Sequence, residues 1–458
     1  MNSKQLVLDA LYNKEVERIP WVPFVGCHAA SLINADTEEY FKNADLIFKG
    51  VTRAYELYQP DGLPALFDLQ LEAEAMGCKL IYAKDNPPAV SSHILEEGVK
   101  LKDLKVPTEK DGRFPVALEA TRRIVKALGE KIAIYGLITG PFTLALHLKG
   151  TEIFYEMLDE PDDVKSLMEF CKKVCINTAR MYMEAGCDII AVVDPMTSQI
   201  SPDNFDEFVT PYVSSVMEYI REQKKGSSFF VCGNAKRNIE VMCRTKPDNI
   251  SIDENIPLDY VIETCRPYGV SVGGNIKLTL TMLFGSRMDN VNDAKNCMTI
   301  GGKKGFILSP GCDMPYATPI ENVKAITSTV LGNMTDIFDE NEVLNITDYE
   351  LPDYSNEKQV IVDCITLDSE SCAACQYTME AVLTSALPLG DKVKVIEHKI
   401  KQKEGIACML KLGATNVPTI VVDGIIKYVS ILPDNTELTA CFMAAADLKK
   451  NKYLTGEN

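Results

Sequence analysis

Two pairs of cysteines carry most of the chemistry readable in this sequence. Cys232 lies in FFVCGN (229–234) and Cys312 in SPGCDMPYATPIEN (309–322), 80 residues apart. No local knuckle joins them, but each follows an apolar run of β character. Two thiolates are good zinc ligands, and a catalytic zinc takes three protein ligands and keeps a fourth position open. Two ordinary buried cysteines are the competing explanation. The second pair is Cys372-Ala373-Ala374-Cys375, between a predicted strand and a predicted helix. A helix N-terminus favours negative charge, and so a redox-active thiolate. A metal held by Cys372 and Cys375 is the rival reading, although no second such motif follows.

Something must hold these groups in place. Over residues 1–340, short β-like runs alternate with amphipathic helical stretches. The runs are IPWVPFV (19–25), KIAIYGLI (131–138), DIIAVVD (188–194), SSFFVCG (227–233), DNISID (248–253), VSVGGNI (270–276) and GFILSP (305–310). Helices are expected over 161–186 and 202–225; in the first, apolar residues recur three and four apart. Such alternation implies parallel strands with crossover helices, and roughly eight units fit a (β/α)8 TIM barrel. In that fold, functional residues stand at the C-terminal ends of strands. Asp194, Cys232, Asp253, Asn275 and Cys312 all fall there. Asp68 and Glu72 would share a helix face, with Glu74 nearby, as a solvated surface or a cap. Gly274 and Asn275 would let backbone approach a substrate. Cys171, Cys175 and Cys265 sit in helical apolar patterns and read as packing residues.

Residues 341–357 are acidic and polar and read as a linker. A second α/β domain follows over 358–458, with strands at 358–366 and 392–400, a hairpin across 416–431 and a closing helix over 436–450.

The chain has 458 residues, 46% hydrophobic and 24% charged, which suits a soluble protein of more than one domain. No run approaches the roughly 18 apolar residues that span a bilayer. The opening MNSKQLVLDALYNKEVERIP does not read as a signal peptide, so a cytoplasmic setting with reduced thiols is expected for the 15 cysteines. A net charge of −18 argues against nucleic-acid binding.

Residues 1–335 resemble the uroporphyrinogen decarboxylase superfamily, within it the branch of cobalamin-dependent methyltransferases. The resemblance rests on FDLQLEAEAMGC (67–78), GLITGPFTLALHLKG (136–150), AVVDPMTSQISPDNFDEFVTPY (191–212), FFVCGN and SPGCDMPYATPIENVKA (309–325). It implies a zinc bound by a His-X-Cys…Cys set, with Cys232 and Cys312 as the cysteines. It also implies a corrinoid carried by a partner protein. The histidine position is Phe230, which cannot bind metal. Asp194 and Glu184 are the expected substitutes, ahead of His147, Cys27 and His28; for Asp194 a helix cap competes. Asp194 and Asn234 are the expected catalytic groups of the barrel. The decarboxylases' N-terminal arginine motif is missing, because no arginine follows Arg18 within 18–27. Residues 358–448 resemble the thioredoxin and glutaredoxin superfamily, with Cys372 and Cys375 as the redox pair and Pro418 of Val417-Pro418-Thr419 as its cis-proline. Glu370-Ser371 replaces the tryptophan that usually precedes the motif.

The expected function is zinc-dependent movement of a methyl group between a small-molecule donor, such as an O-methyl compound, and the cobalt of a corrinoid protein. Methylation of a thiol from the corrinoid, tetrapyrrole decarboxylation, and a catalytically dead barrel with a redox or docking role are the alternatives. A redox client of the second domain and a homodimer complete the expected partners, with no nucleic acid and no membrane.

Overall fold

The computed structural model describes residues 2–333, 349–370 and 372–455, the side chains of 451–455 excepted. Residues 341–348 of the expected linker lie outside that set. The chain divides into two compact units, Met1–Glu342 and Val343–Asn458.

In the first unit, seven parallel strands form one sheet in chain order: β1 (Gly62–Pro64), β2 (Ala133–Thr139), β3 (Ile189–Val193), β4 (Gly226–Val231), β5 (Asn249–Ile252), β6 (Ser271–Ile276) and β7 (Phe306–Pro310). The stretch 19–25, expected as a strand, makes only a bridge. Trp21 pairs in parallel with Leu308, Val22 N donates to Leu308 O at 2.9 Å, and Asp61 N donates to Trp21 O at 2.8 Å. It therefore reaches both β7 and the start of β1, as the first wall of a TIM-like barrel must. Pro20 and Pro23 have no N–H to give, which keeps it from being a regular ladder.

Helix α1 (Ser3–Leu11) covers the strand starts: Lys4 N donates to Lys131 O, and Ser271 Oγ donates to Leu11 O. One side of the barrel interior is apolar, with Tyr135, Leu137, Ala191, Val193, Phe230 and Ile307 packed together. The other side is a hydrogen-bonded polar ladder. Ser228 Oγ donates to Asn249 Oδ1 at 2.8 Å, and Asn249 Nδ2 donates to Ser271 Oγ at 3.0 Å. These buried polar groups are thereby partnered, as burial demands.

Around the sheet lie α2 (Leu71–Ala75), α3 (Phe114–Leu128), α4 (Pro141–Lys149) and α5 (Pro161–Glu184). In α5, Val164, Leu167, Met168, Cys171, Val174 and Cys175 are buried at helical spacing, so the two cysteines do pack. The helix expected over 202–225 is two helices, Pro202–Phe208 and Thr210–Glu222. The break falls next to Thr210-Pro211, where the proline ring disfavours helical backbone on its N-terminal side.

The second unit has a four-stranded sheet of β8 (Val360–Thr366), β9 (Val393–Lys399), β10 (Thr419–Val422) and β11 (Ile425–Val429), in spatial order β9-β8-β10-β11. Strand β8 runs parallel to β9 and antiparallel to β10, and β10 and β11 form a hairpin. Helices α6 (Ala373–Ala386), α7 (Lys403–Leu412) and α8 (Asn435–Thr455) accompany it. Val362, Cys364, Val382, Ile420, Leu438 and Phe442 lie in its core.

Candidate active site at the barrel mouth

Cys232 directly follows β4, and Cys312 stands two residues past β7. The barrel brings them together: their Cα atoms are 6.0 Å apart and their sulfurs are joined as a disulfide. Both are partly buried, and both pack against the apolar interior. Beneath them is an aromatic floor. Phe230 is fully buried, with ring centroids 5.0 Å from Phe24 and 6.1 Å from Phe67, and Phe24 lies edge-on to Tyr135 at 6.1 Å.

The loop holding Cys232 is pinned from β5. Gly233 N donates to Asp253 Oδ2 at 2.9 Å, and Gly233 has φ +88, a region open to glycine at little cost. Asp253 Oδ1 accepts from Asn255 N and Nδ2 at 2.9 and 2.7 Å. Asn275 Nδ2 donates to Asp253 O and Ile256 O, so Asn275 braces the same loop. Asn234, expected to be catalytic, accepts from Lys236 N at 3.3 Å and shapes the turn after Cys232.

The expected third metal ligands are engaged elsewhere. Asp194 is fully buried at the end of β3. Its oxygens accept from Phe142 N at 3.1 Å, Thr143 N at 2.7 Å and Thr143 Oγ1 at 2.6 Å, which anchors the first turn of α4. Burial lifts its pKa to about 6, against the pull of those hydrogen bonds. Glu184, expected near the mouth, ends α5, whose chain then enters the start of β3, so it lies at the opposite end of the barrel. There it is half exposed and paired with Arg180. His28 has Nε2 2.7 Å from the Tyr58 hydroxyl and Nδ1 3.1 Å from Tyr316 O, and burial lowers its pKa to about 4. His147 is buried in α4 with its pKa lowered to about 3 by burial. Cys27 Sγ faces Met314 O at 3.5 Å. Among the described residues no three His, Cys, Asp or Glu side chains come together as a metal site. A catalytic zinc needs three protein ligands, so this donor set does not fit one.

Three further carboxyls, Glu254, Asp68 and Glu72, are set by contacts distant in sequence. Glu254 follows Asp253 and borders the turn before Cys312, where a Cβ on Gly311 would meet Glu254 N at 2.6 Å. Its Oε2 accepts from Leu278 N at 2.6 Å. Burial, then the neighbouring charge of Asp253, pushes its pKa up to about 8. Glu254 is partly buried, which nothing in the run ISIDEN (251–256) reports. Asp68 and Glu72 are not a solvated helix face, for both are buried and Asp68 precedes α2. Asp68 pairs with Arg113 at 2.5 Å, Glu74 pairs with the same guanidinium at 2.7 Å, and Glu72 accepts from Thr139 Oγ1 at 2.8 Å. Burial raises Glu72 to about 7. Arg18 is committed too, held by Asp61 through two bonds of 2.6 Å.

In the second unit Cys372 is the N-cap of α6 and partly exposed, whereas Cys375, one turn on, is fully buried. Leu367 N donates to Cys375 Sγ at 3.3 Å. Burial, then the contact with Cys372, raises the Cys375 thiol well above its usual range. Pro418 is buried directly before β10, and the Val417–Pro418 peptide is cis.

Known proteins resemble the first unit. A methylcobamide:CoM methyltransferase, MtbA, of Methanosarcina acetivorans is 26% identical over 328 residues, 70% of this chain and 95% of that protein. A uroporphyrinogen decarboxylase of Anaeromyxobacter dehalogenans is 26% identical over 305 residues, 64% of this chain and 86% of that protein. A solved methyltransferase from Methanosarcina mazei superposes with a TM-score of 0.67 at 25% identity, over 72% of this chain and 99% of that one. The profile of the uroporphyrinogen decarboxylase (URO-D) family matches residues 2–332, and the chain belongs to that family.

Proposed function

We propose that this protein is a corrinoid-dependent methyltransferase whose barrel mouth moves a methyl group between a small molecule and the cobalt of a corrinoid carried by a partner protein. The supporting observation is the meeting of Cys232 and Cys312 at one barrel mouth, with the backbone of Glu254 against the turn before Cys312, in a fold that matches methyltransferases over nearly their whole length.

We favour the donor-to-cobalt direction because Glu254 is a candidate acid. Cobalt(I) in a corrinoid supplies a strong nucleophile for a methyl carbon. An alkoxide or phenoxide is a poor leaving group unless it is protonated as the bond breaks. With a pKa of about 8, Glu254 is mostly protonated at neutral pH and has a proton to give. Asp194 is taken by the α4 backbone, so it orients rather than donates. The aromatic floor of Phe24, Phe67 and Phe230 offers an apolar surface under the mouth, and the partly exposed Cys232 and Cys312 mark its open side. No step is routed through zinc, because the donor set stops at two sulfurs. We therefore favour an O-methyl donor, such as a methoxylated aromatic.

A second reading is methylation of a thiol from the corrinoid, as the names of the Methanosarcina relatives suggest. Tetrapyrrole decarboxylation is less well supported, since Arg18 is already held by Asp61 and cannot clamp a second carboxylate fully. An assay in both directions, O-methyl donors with reduced cobalamin and thiols with methylcobalamin, separates them. Turnover only with thiols would overturn the O-methyl reading.

The second unit reads as thioredoxin-like. The support is the partly exposed Cys372 at a helix N-terminus, the buried Cys375 behind it and the β9-β8-β10-β11 sheet order.

A further inference from the structure

The end of the barrel where the strands begin holds a cleft of about 730 Å³. Asp248 leads into β5 and Val270 into β6, and the last turn of α1 closes the same space. The cleft is therefore at the opposite end from Cys232 and Cys312. Reaction sites of such barrels stand at the C-terminal ends of strands, so this cleft is separate from the methyl-transfer site.

Its walls carry three exposed cations, Arg221, Arg244 and Lys246, in a chain whose net charge is −18. The one acid of the lining is Asp248. Its carboxylate is occupied on β4, where Oδ2 accepts from Ser227 N at 2.9 Å and from Ser227 Oγ at 2.7 Å. Arg244 pairs with Asp206 at 2.6 Å. Among the described residues, neither Arg221 nor Lys246 has a carboxylate partner. Arg221 is anchored instead by donating Nη2 to Lys246 O, which leaves most of its N–H groups for another acceptor. Two rings line the same cleft. Tyr12 and Tyr268 are 43% and 42% exposed, and both are held in place. Asn13 Nδ2 donates to Gly269 O at 2.5 Å, which ties the end of α1 to the turn after Tyr268. The Tyr268 hydroxyl donates to Glu240 Oε1 at 3.0 Å.

This is a local reversal of the field of an acidic protein, concentrated in a concave site. Guanidinium and ammonium groups together grip phosphate oxygens, and an exposed aromatic face takes a flat base by stacking. The volume is within the range of small-molecule sites, roughly 300–1,000 Å³. We propose that this cleft binds an organic phosphate of mononucleotide size, with the phosphate on Arg221, Arg244 and Lys246 and the ring against Tyr12 and Tyr268. The cleft shares no residue with the barrel mouth, so the proposal is independent of the methyltransferase reading.

The test is calorimetric titration of the full chain with AMP, and with inorganic phosphate and adenosine as its two halves. AMP should bind more tightly than either half by roughly tenfold or more, the scale of one stacked base. Its affinity should fall with added salt, because the cations are exposed. The double variant Arg244→Gln, Lys246→Gln should weaken AMP by about tenfold or more and flatten that salt dependence. Tyr268→Leu should bring AMP down towards inorganic phosphate and leave inorganic phosphate unchanged. All three positions are exposed, and an unchanged melting temperature confirms that the variants fold. Wild-type protein that does not bind AMP overturns the proposal. So does AMP binding no tighter than inorganic phosphate, or AMP binding that survives the double variant at full strength.

Discussion

Phe230 near the end of β4 and Cys232 just past it both pack into the same apolar interior. A ring at 230 therefore occupies the space in which a ligand to a metal at Cys232 would lie, and it contributes to the floor instead. Phe230→Ala should destabilise the barrel by roughly 3–5 kcal/mol, the usual range for a deleted core ring. Phe230→His should instead complete a three-ligand set: reduced protein should gain about one zinc per chain by metal analysis, and lose it again when Cys312→Ser is added. A Phe230→His protein that stays free of zinc would show that the ring is not what bars the metal. Glu254 is the candidate acid of the mouth. Glu254→Gln should lower kcat by about 10²- to 10⁴-fold with KM little changed, the range for loss of a general acid. In wild type, activity should fall as pH rises through about 8, where this carboxyl loses its proton. A flat profile to pH 9 would assign the proton to another group. That Cys232 and Cys312 would come together was legible in the sequence, because both follow strand runs whose ends a barrel gathers at one rim. Glu254 was not, because its environment comes from Leu278 N and Gly311, residues distant in sequence. Asp68 and Glu72 failed for the same reason: Arg113 and Thr139, which bury and partner them, cannot be read from FDLQLEAEAMG.

At the scale of elements, the strand runs ending at 138, 194, 233, 253, 276 and 310 were visible because buried parallel strands are apolar and continuous. Strand β1 is three residues long and holds Pro64, too little for any period to show. The bridge at Trp21 looked like a strand because proline's missing N–H is a backbone property that apolar patterning does not register. In the second unit β8 and β9 meet in a polar contact that makes its own prediction. His398 Nε2 lies 2.8 Å from Asp363 Oδ1, and Tyr354 donates to Asp363 Oδ2 at 2.9 Å. Burial lowers the His398 pKa, but hydrogen bonds to Asp363 and to Cys408 of α7 outweigh it and raise it to about 9. A histidine raised above its unfolded value adds stability that is fully present below about pH 6.5 and is lost as pH rises through about 9. The melting transition of this unit should therefore fall between pH 7 and 10, by on the order of 1–3 kcal/mol, and His398→Gln should flatten that step. Calorimetry of the full chain checks it, and a pH-independent transition would sink it.

The whole molecule joins a URO-D barrel to a second α/β unit bearing its own cysteine pair. Among the described residues no helix is long and apolar enough to cross a membrane. The division into two units was legible from the change of rhythm after the acidic stretch. How the two sulfur pairs differ was not, since that rests on burial. In the proposed reaction, methyl groups move between a small molecule and cobalt at the barrel mouth. The most direct measurement is a single-turnover reaction of the reduced full-length protein with cob(I)alamin and a methoxylated aromatic labelled in its methyl group. Labelled methylcobalamin and the matching phenol are expected in equal amounts, both lost in Glu254→Gln. Label that stays on the aromatic, while the same protein methylates thiols from methylcobalamin, would contradict it.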